Sequence, residues 1–183
     1  DRRAGRPAAA ERPPAYAGPA ETRDDAMLLA RLSAEVAIAR GRPQAALDAL
    51  LSVPEPWPPA LASELLALRA QAEFAAGRLL EGVRTTERRA QLFANPDARR
   101  AVYAGMLEGL VASPASAMVP PGATPNEAAW FELAQMLAQP DAAAAARRSV
   151  EWRARHPDHP GAQFLPQAAD AAANVHPPAT PVE

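Results

Sequence analysis

The 183-residue chain has no cysteine, which excludes disulfides, thiolate metal sites and cysteine nucleophiles. It has no lysine either: all 19 basic residues are arginine, and against 21 acidic residues they leave a net charge of -2. A sequence-independent nucleic-acid binder needs surplus positive charge to neutralise phosphates, so that function is not expected. Aromatic residues make up only 5% and β-branched residues are sparse, which gives strands little support. No apolar run approaches the roughly 20 residues that span a bilayer. G-x-S-x-G, glycine-rich phosphate loops, H-E-x-x-H and paired-carboxylate patterns are missing as well, so neither catalysis nor a cofactor is expected.

What the chain does have is alanine, which supplies much of a 49% hydrophobic content and favours close-packed helices. The expectation is an all-α fold, a tetratricopeptide-like array of about seven helices in antiparallel hairpins. Residues 1–24 mix proline, alanine, glycine and charge without a helical period and read as a flexible leader. Residues 25–166 form the helical domain, and residues 167–183 read as a second linker.

Within the helical domain, Leu29, Leu32 and Val36 share one face, and Leu47, Leu50 and Leu51 follow the break at 41–43. Leu61, Leu65, Leu68 and Ala72 form the next stripe, then Leu79, Val83, Thr86, Ala90 and Phe93. Asn95 and Pro96 stop that helix. A fifth carries Val102, Tyr103, Met106, Leu107, Leu110 and Val111. Asn126 is expected to cap a sixth, with Trp130, Leu133 and Leu137 on its buried stripe, and Pro140 with Asp141 opens a seventh that runs to about His156. The first two hairpins repeat: with Gly41 set on Gly77, Ile38 falls on Phe74, Ala34 on Ala70 and Ala46 on Gly82. This offset is close to the 34 residues of a tetratricopeptide repeat, and small residues at the matched positions let facing helices close. Most larger consensus positions of that repeat are not met, so an unrelated array of helical hairpins stays open.

Three groups of residues are candidates for an interaction surface, each with a plainer alternative. Trp57, in the segment PEPWPP, is either a partner anchor on a proline-rich turn or packing between hairpins. Arg84, Arg88 and Arg89, with Arg99 and Arg100 nearby, are either a basic face for an acidic partner or a solvated helix face interleaved with Glu81 and Glu87. Met118 and Val119, in the long loop SPASAMVPPGATP, are either a docking element or a connector that folds back onto the core. His156 and His159 have a spacing a metal site can use, but Pro157 and Pro160 break the helix between them and the remaining histidine, His176, lies in the trailing linker. They read instead as a rigid exit, with Trp152 packing the last helix onto the array.

The same exit, VEWRARHPDHPGAQFLP, carries a resemblance. Trp152, His156, Pro157, His159, Pro160, Leu165 and Pro166 resemble the end of the N-terminal domain of the penicillin-binding-protein activator family, the LpoA-type outer-membrane lipoproteins. The passage LARLSAEVAIARGRPQAALDALLSVP is similar to that family's opening repeat, and Gly161 stands where alanine is expected. The resemblance covers about residues 25–166. It implies a non-catalytic helical domain that precedes a two-lobed C-terminal domain, with Thr180 to Glu183 sitting just before that domain's first strand. It further implies a periplasmic protein held to the outer membrane by a lipid anchor upstream. The implied partner is a class A penicillin-binding protein, contacted mainly through the C-terminal domain, with peptidoglycan as a possible second. The alternative is a generic repeat scaffold for an extended peptide, for which the inner helices, 26–40 and 60–76, offer Arg31, Glu35, Glu64, Arg69 and Glu73.

Overall fold

Gly41 and Gly77 adopt the same left-handed backbone, at φ of 65° and 74°. Around the first, the amide of Gly41 donates to the Ile38 carbonyl and that of Arg42 to the Ala37 carbonyl; around the second, Gly77 donates to Phe74 and Arg78 to Glu73. Both are Schellman ends, in which a residue without Cβ takes the αL position and the orphan carbonyls of the last helical turn find donors. The internal repeat is therefore a repeat of backbone geometry as well as of residue type.

The computed structural model describes residues 22–165. Among these the chain is all-α, seven helices without strands: α1 Arg23–Ala39, α2 Pro43–Leu51, α3 Pro59–Ala75, α4 Leu79–Gln91, α5 Pro96–Ala112, α6 Pro125–Leu137 and α7 Ala142–Arg155. Short 3₁₀ turns at Pro114–Ala117 and Pro160–Phe164 follow α5 and α7. Four helices start on proline, where the missing N–H costs nothing and the fixed φ suits the first turn. The first helix starts two residues earlier than expected, at Arg23, because the Thr22 hydroxyl accepts from the Asp25 amide and Asp24 and Asp25 favour the positive end of the helix dipole. The rest of the expected leader and the expected linker 167–183 lie outside the described residues.

Sequential packing runs from α1 to α7. Between α1, α2 and α3 the interface is built largely of small side chains, with Ala34, Ala37, Ala46 and Ala72 packed around Leu47, Leu50 and Leu65. Met27, Ala30 and Val53 continue it toward the start of α1. The larger core lies at the other end, where α4 and α5 meet α6 and α7 around Trp130, Phe131, Leu133, Leu110 and Trp152.

Three expectations are corrected. In α1 the face shared by Leu29, Leu32 and Val36 is turned to solvent, and the core side is Met27, Ala30, Ala34 and Ala37. Among the described residues α1 has neighbours on one side only, and close approach to α2 and α3 selects its alanines over its leucines. Leu51 and Leu137 are likewise exposed. Finally, α6 is capped by Thr124 rather than Asn126: the Thr124 hydroxyl accepts from the Glu127 amide while the Glu127 carboxylate accepts from the Thr124 amide, a complete capping box.

The helical glycines separate into two kinds. A Cβ on Gly82 would sit 2.7 to 2.9 Å from three atoms of the Phe74 ring, whereas one on Gly105 or Gly109 meets nothing within 4 Å. Gly82→Ala is expected to destabilise by about 1–3 kcal/mol through overpacking of the α3–α4 pair. Gly105→Ala, in an exposed position of α5, is expected to stabilise by about 0.5–1 kcal/mol. Urea denaturation of the two variants beside the parent checks the opposite signs.

Candidate functional site

The segment that follows α7 is built by aromatic packing. Although aromatics are scarce in the chain, five rings form a chain from α5 to the exit. Tyr103 stacks on Trp130 at 4.9 Å between centroids, and Trp130 meets the His159 edge at 4.5 Å. His159 lies perpendicular to Trp152 at 5.2 Å, and Trp152 lies 4.8 Å from His156. Trp130 and Trp152 are fully buried, and His159 and Leu165 nearly so.

His159 is fixed at both nitrogens. Gly161 donates its amide to Nδ1 at 3.0 Å, so Nδ1 carries no proton, and Nε2 then donates to the Asn126 carbonyl at 3.0 Å. One imidazole thereby caps the final 3₁₀ turn and ties it to the first turn of α6. Burial pushes the His159 pKa below its ordinary value, opposed by the Asn126 bond and assisted by the charge of His156. Gly161 is required here, because a Cβ would lie 2.7 Å from the Leu133 side chain and 2.8 Å from His159 Nδ1. Arg153 closes the knot by donating to the Leu165 carbonyl at 2.7 Å. Pro157 is exposed at the outer bend, Pro160 opens the last 3₁₀ turn, and Pro166 lies outside the described residues. His156 Nε2 stands 3.7 Å from Glu132 and, like Trp152 Nε1, has no hydrogen-bond partner within the protein. Among the described residues no group of three or more His, Asp or Glu side chains is placed to hold a metal.

The arginines of the cluster are engaged with partners inside the protein, while the side chains of Arg84 and Arg88 stay about half exposed to solvent. Arg84 donates to both carboxylate oxygens of Glu127, at 2.6 and 3.2 Å, and to the Gly122 carbonyl at 3.1 Å. Arg88 pairs with Glu55 in the α2–α3 loop, while Arg89 reaches the Ser63 hydroxyl at 3.3 Å and lies over Phe93. Arg99 donates to the Ala94 carbonyl and Arg100 lies over Phe164. Between the arginines of α4, Glu87 accepts from the Trp130 indole at 3.0 Å and from the Asn126 amide at 2.8 Å. The partners of Arg84, Arg88 and Glu87 stand 33 to 43 residues away along the chain, so no local pattern announced them. Glu127 alone had a signal, the Thr-x-x-Glu capping box.

Trp57 is half-buried against Leu61 and the first-repeat core, with its indole donating to the Val53 carbonyl at 3.3 Å. It packs between the hairpins. Met118 is 77% exposed and Val119 39%, so the loop does not fold its apolar residues back onto the core. The two side chains border an open cavity of about 340 Å³ with Leu79, Leu80 and Pro120. No described helix is long and apolar enough to cross a membrane.

Two acids of the α4–α6 seam, the buried Glu127 and the half-buried Glu87, respond to pH in opposite senses. The hydrogen bond from Arg84 holds the Glu127 carboxyl down to about 2, with help from the Thr124 cap, against an ordinary value of 4.5. Its stability contribution is full above 4.5 and is lost as pH falls toward 2, worth about 2 kcal/mol once solvent screening of the half-exposed Arg84 is allowed for. Burial raises Glu87 above the ordinary carboxylate range, so its contribution falls as pH rises through the region above 4.5. Glu127→Gln should therefore flatten the stability profile between pH 2 and 4.5, measured by chemical denaturation across that range, and leave the limb above it intact.

No family model, no curated protein and no solved structure matches the chain.

Proposed function

We propose that residues 22–165 are the non-catalytic N-terminal domain of a periplasmic activator of a class A penicillin-binding protein, of the LpoA type. In this reading the array is a spacer and interaction surface ahead of the activating domain, in a protein tethered to the outer membrane by a lipid. Activation is allosteric: binding favours the active conformation of the synthase by as much as its affinities for the two conformations differ.

The observation that carries the reading is the packing of the exit. The residues on which the resemblance rests are not scattered: Trp152, His156, His159, Pro160 and Leu165 form one interlocked unit that fixes the direction in which the chain leaves the helices. A packed exit up to Leu165 gives the linker and the domain expected after it a fixed point of departure from the array. The competing scaffold reading is weakened by the inner helices. Arg31 pairs with Glu35 and Glu64, and Arg69 with Glu73 and Glu55, so these charges bind one another instead of lining a free groove.

The test is to immobilise the 183-residue chain and, separately, the whole translated protein, and to pass over both a detergent-solubilised envelope extract labelled with fluorescent penicillin. A labelled band held by the whole protein and not by the chain supports the activator with this domain as spacer. A band held by the chain alone makes the array itself the contact. No labelled band on either column overturns the reading in favour of a generic scaffold.

A further inference from the structure

We propose that the outer face of α1 is a two-fold self-association surface, on which α1 of a second copy of this chain docks antiparallel. The inference stands apart from the activator reading and rests on α1, the first of the described helices. Leu28, Leu29, Leu32 and Val36 are 49%, 59%, 48% and 47% exposed, diametrically opposite the buried Met27, Ala30, Ala34 and Ala37. A helix with apolar residues on both sides has a second partner to find, and the end units of helical arrays normally carry a polar outer face instead. Alongside the stripe runs an open groove of about 400 Å³ bordered by Leu32, Val36, Ala37, Arg42 and Ala45.

Charge selects the occupant. Asp24 and Asp25 stand at the beginning of the stripe and Arg40 and Arg42 at its end, and neither arginine has an ion-pair partner among the described residues. A two-fold axis between Leu32 and Ser33 sets Leu29 of one copy against Val36 of the other and Asp25 against Arg40, with both contacts made twice. The surface is thus complementary to itself in apolar pattern and in charge, and the two helix dipoles oppose. Residues 1–21 of the chain are a poorer cover, since Tyr16 is the one large apolar side chain among them. The stripe is only part of the roughly 800 Å² per partner that a stable complex buries, so the dimer is weak and concentration-dependent.

Sedimentation equilibrium of the full chain at about 2 μM and about 200 μM brackets such an affinity. The mass is expected to rise from 19.3 kDa toward twice that value. Leu32→Glu should remain monomeric at both concentrations. Asp25→Arg and Arg40→Asp should each weaken association about tenfold, since each places like charges together at both ends of the pair. An equimolar mixture of these two variants should recover it, because in the mixed pair one ion pair forms with reversed sign and the other keeps its original sign. All three positions face solvent, and circular dichroism confirms that the variants are folded. A monomer at 200 μM overturns the proposal, as does a dimer that survives Leu32→Glu. Failure of the mixture to recover overturns the antiparallel arrangement, and loss of association on Met118→Glu points to a different surface.

Discussion

Trp130→Ala is expected to lower stability by about 3–5 kcal/mol, the usual cost of removing a fully buried tryptophan where the surroundings cannot collapse. The surroundings here are held from three directions. Tyr103 of α5 stacks on one side, His159 of the exit meets the ring from another, and Leu133 and Phe131 are locked in the same core. The indole N–H is also the donor that satisfies Glu87, whose remaining partner is Asn126. Trp130→Phe separates the two contributions: it keeps most of the ring volume but leaves the half-buried carboxylate short of a donor, with an expected cost of about 1–3 kcal/mol. Denaturation curves of the parent and the two variants give the order, and a Trp130→Ala cost under about 1 kcal/mol would mean that this core is not packed as described.

The consequence reaches beyond stability, because Trp130 supports the ring that positions His159. If the exit is fixed by this aromatic chain, Trp130→Ala should loosen the segment 156–165 first. Hydrogen exchange at the Gly161 amide, which donates to His159 Nδ1, reads that loosening directly.

Much of the architecture was legible because it is local. The turn glycines, the stripe Leu79, Val83, Thr86 and Ala90, and the burial of Trp130, Leu133 and Trp152 follow from residues within a few turns of one another, and all are found as expected. The reversal of α1 was not legible: a helix with leucines on one side and alanines on the other does not reveal which side its neighbours occupy. The same holds for the arginines of α4. Arg84 and Arg88 look like a solvated face in sequence, yet each finds its carboxylate on an element far along the chain. The cap of α6 is different. Thr124 with Pro125 and Glu127 is a stronger start signal than Asn126, and reading the proline as the first helical residue would have found it.

Removing Arg69 should cost about 3 kcal/mol, more than any surface ion pair, because its partner Glu73 is only 5% exposed. Glu73 lies between α3 and α4, accepting from Arg69 at 2.9 Å on one oxygen and from the Thr85 hydroxyl at 2.6 Å on the other. Arg69 also pairs with Glu55, which pairs with Arg88, so the chain of charges returns to α4 through the α2–α3 loop. In Arg69→Met, Glu73 is left charged in the seam with a single neutral donor, and that uncompensated carboxylate, not the lost pair as such, is the source of the cost. The double variant Arg69→Met with Glu73→Met should therefore recover most of it, since apolar side chains of similar length fill the same space without a charge to desolvate. A strong positive coupling in that cycle, measured by urea denaturation, is the expected result. If the double variant is as unstable as the sum of the singles, Arg69 and Glu73 are not coupled, and each side chain stabilises the hairpin independently of the other.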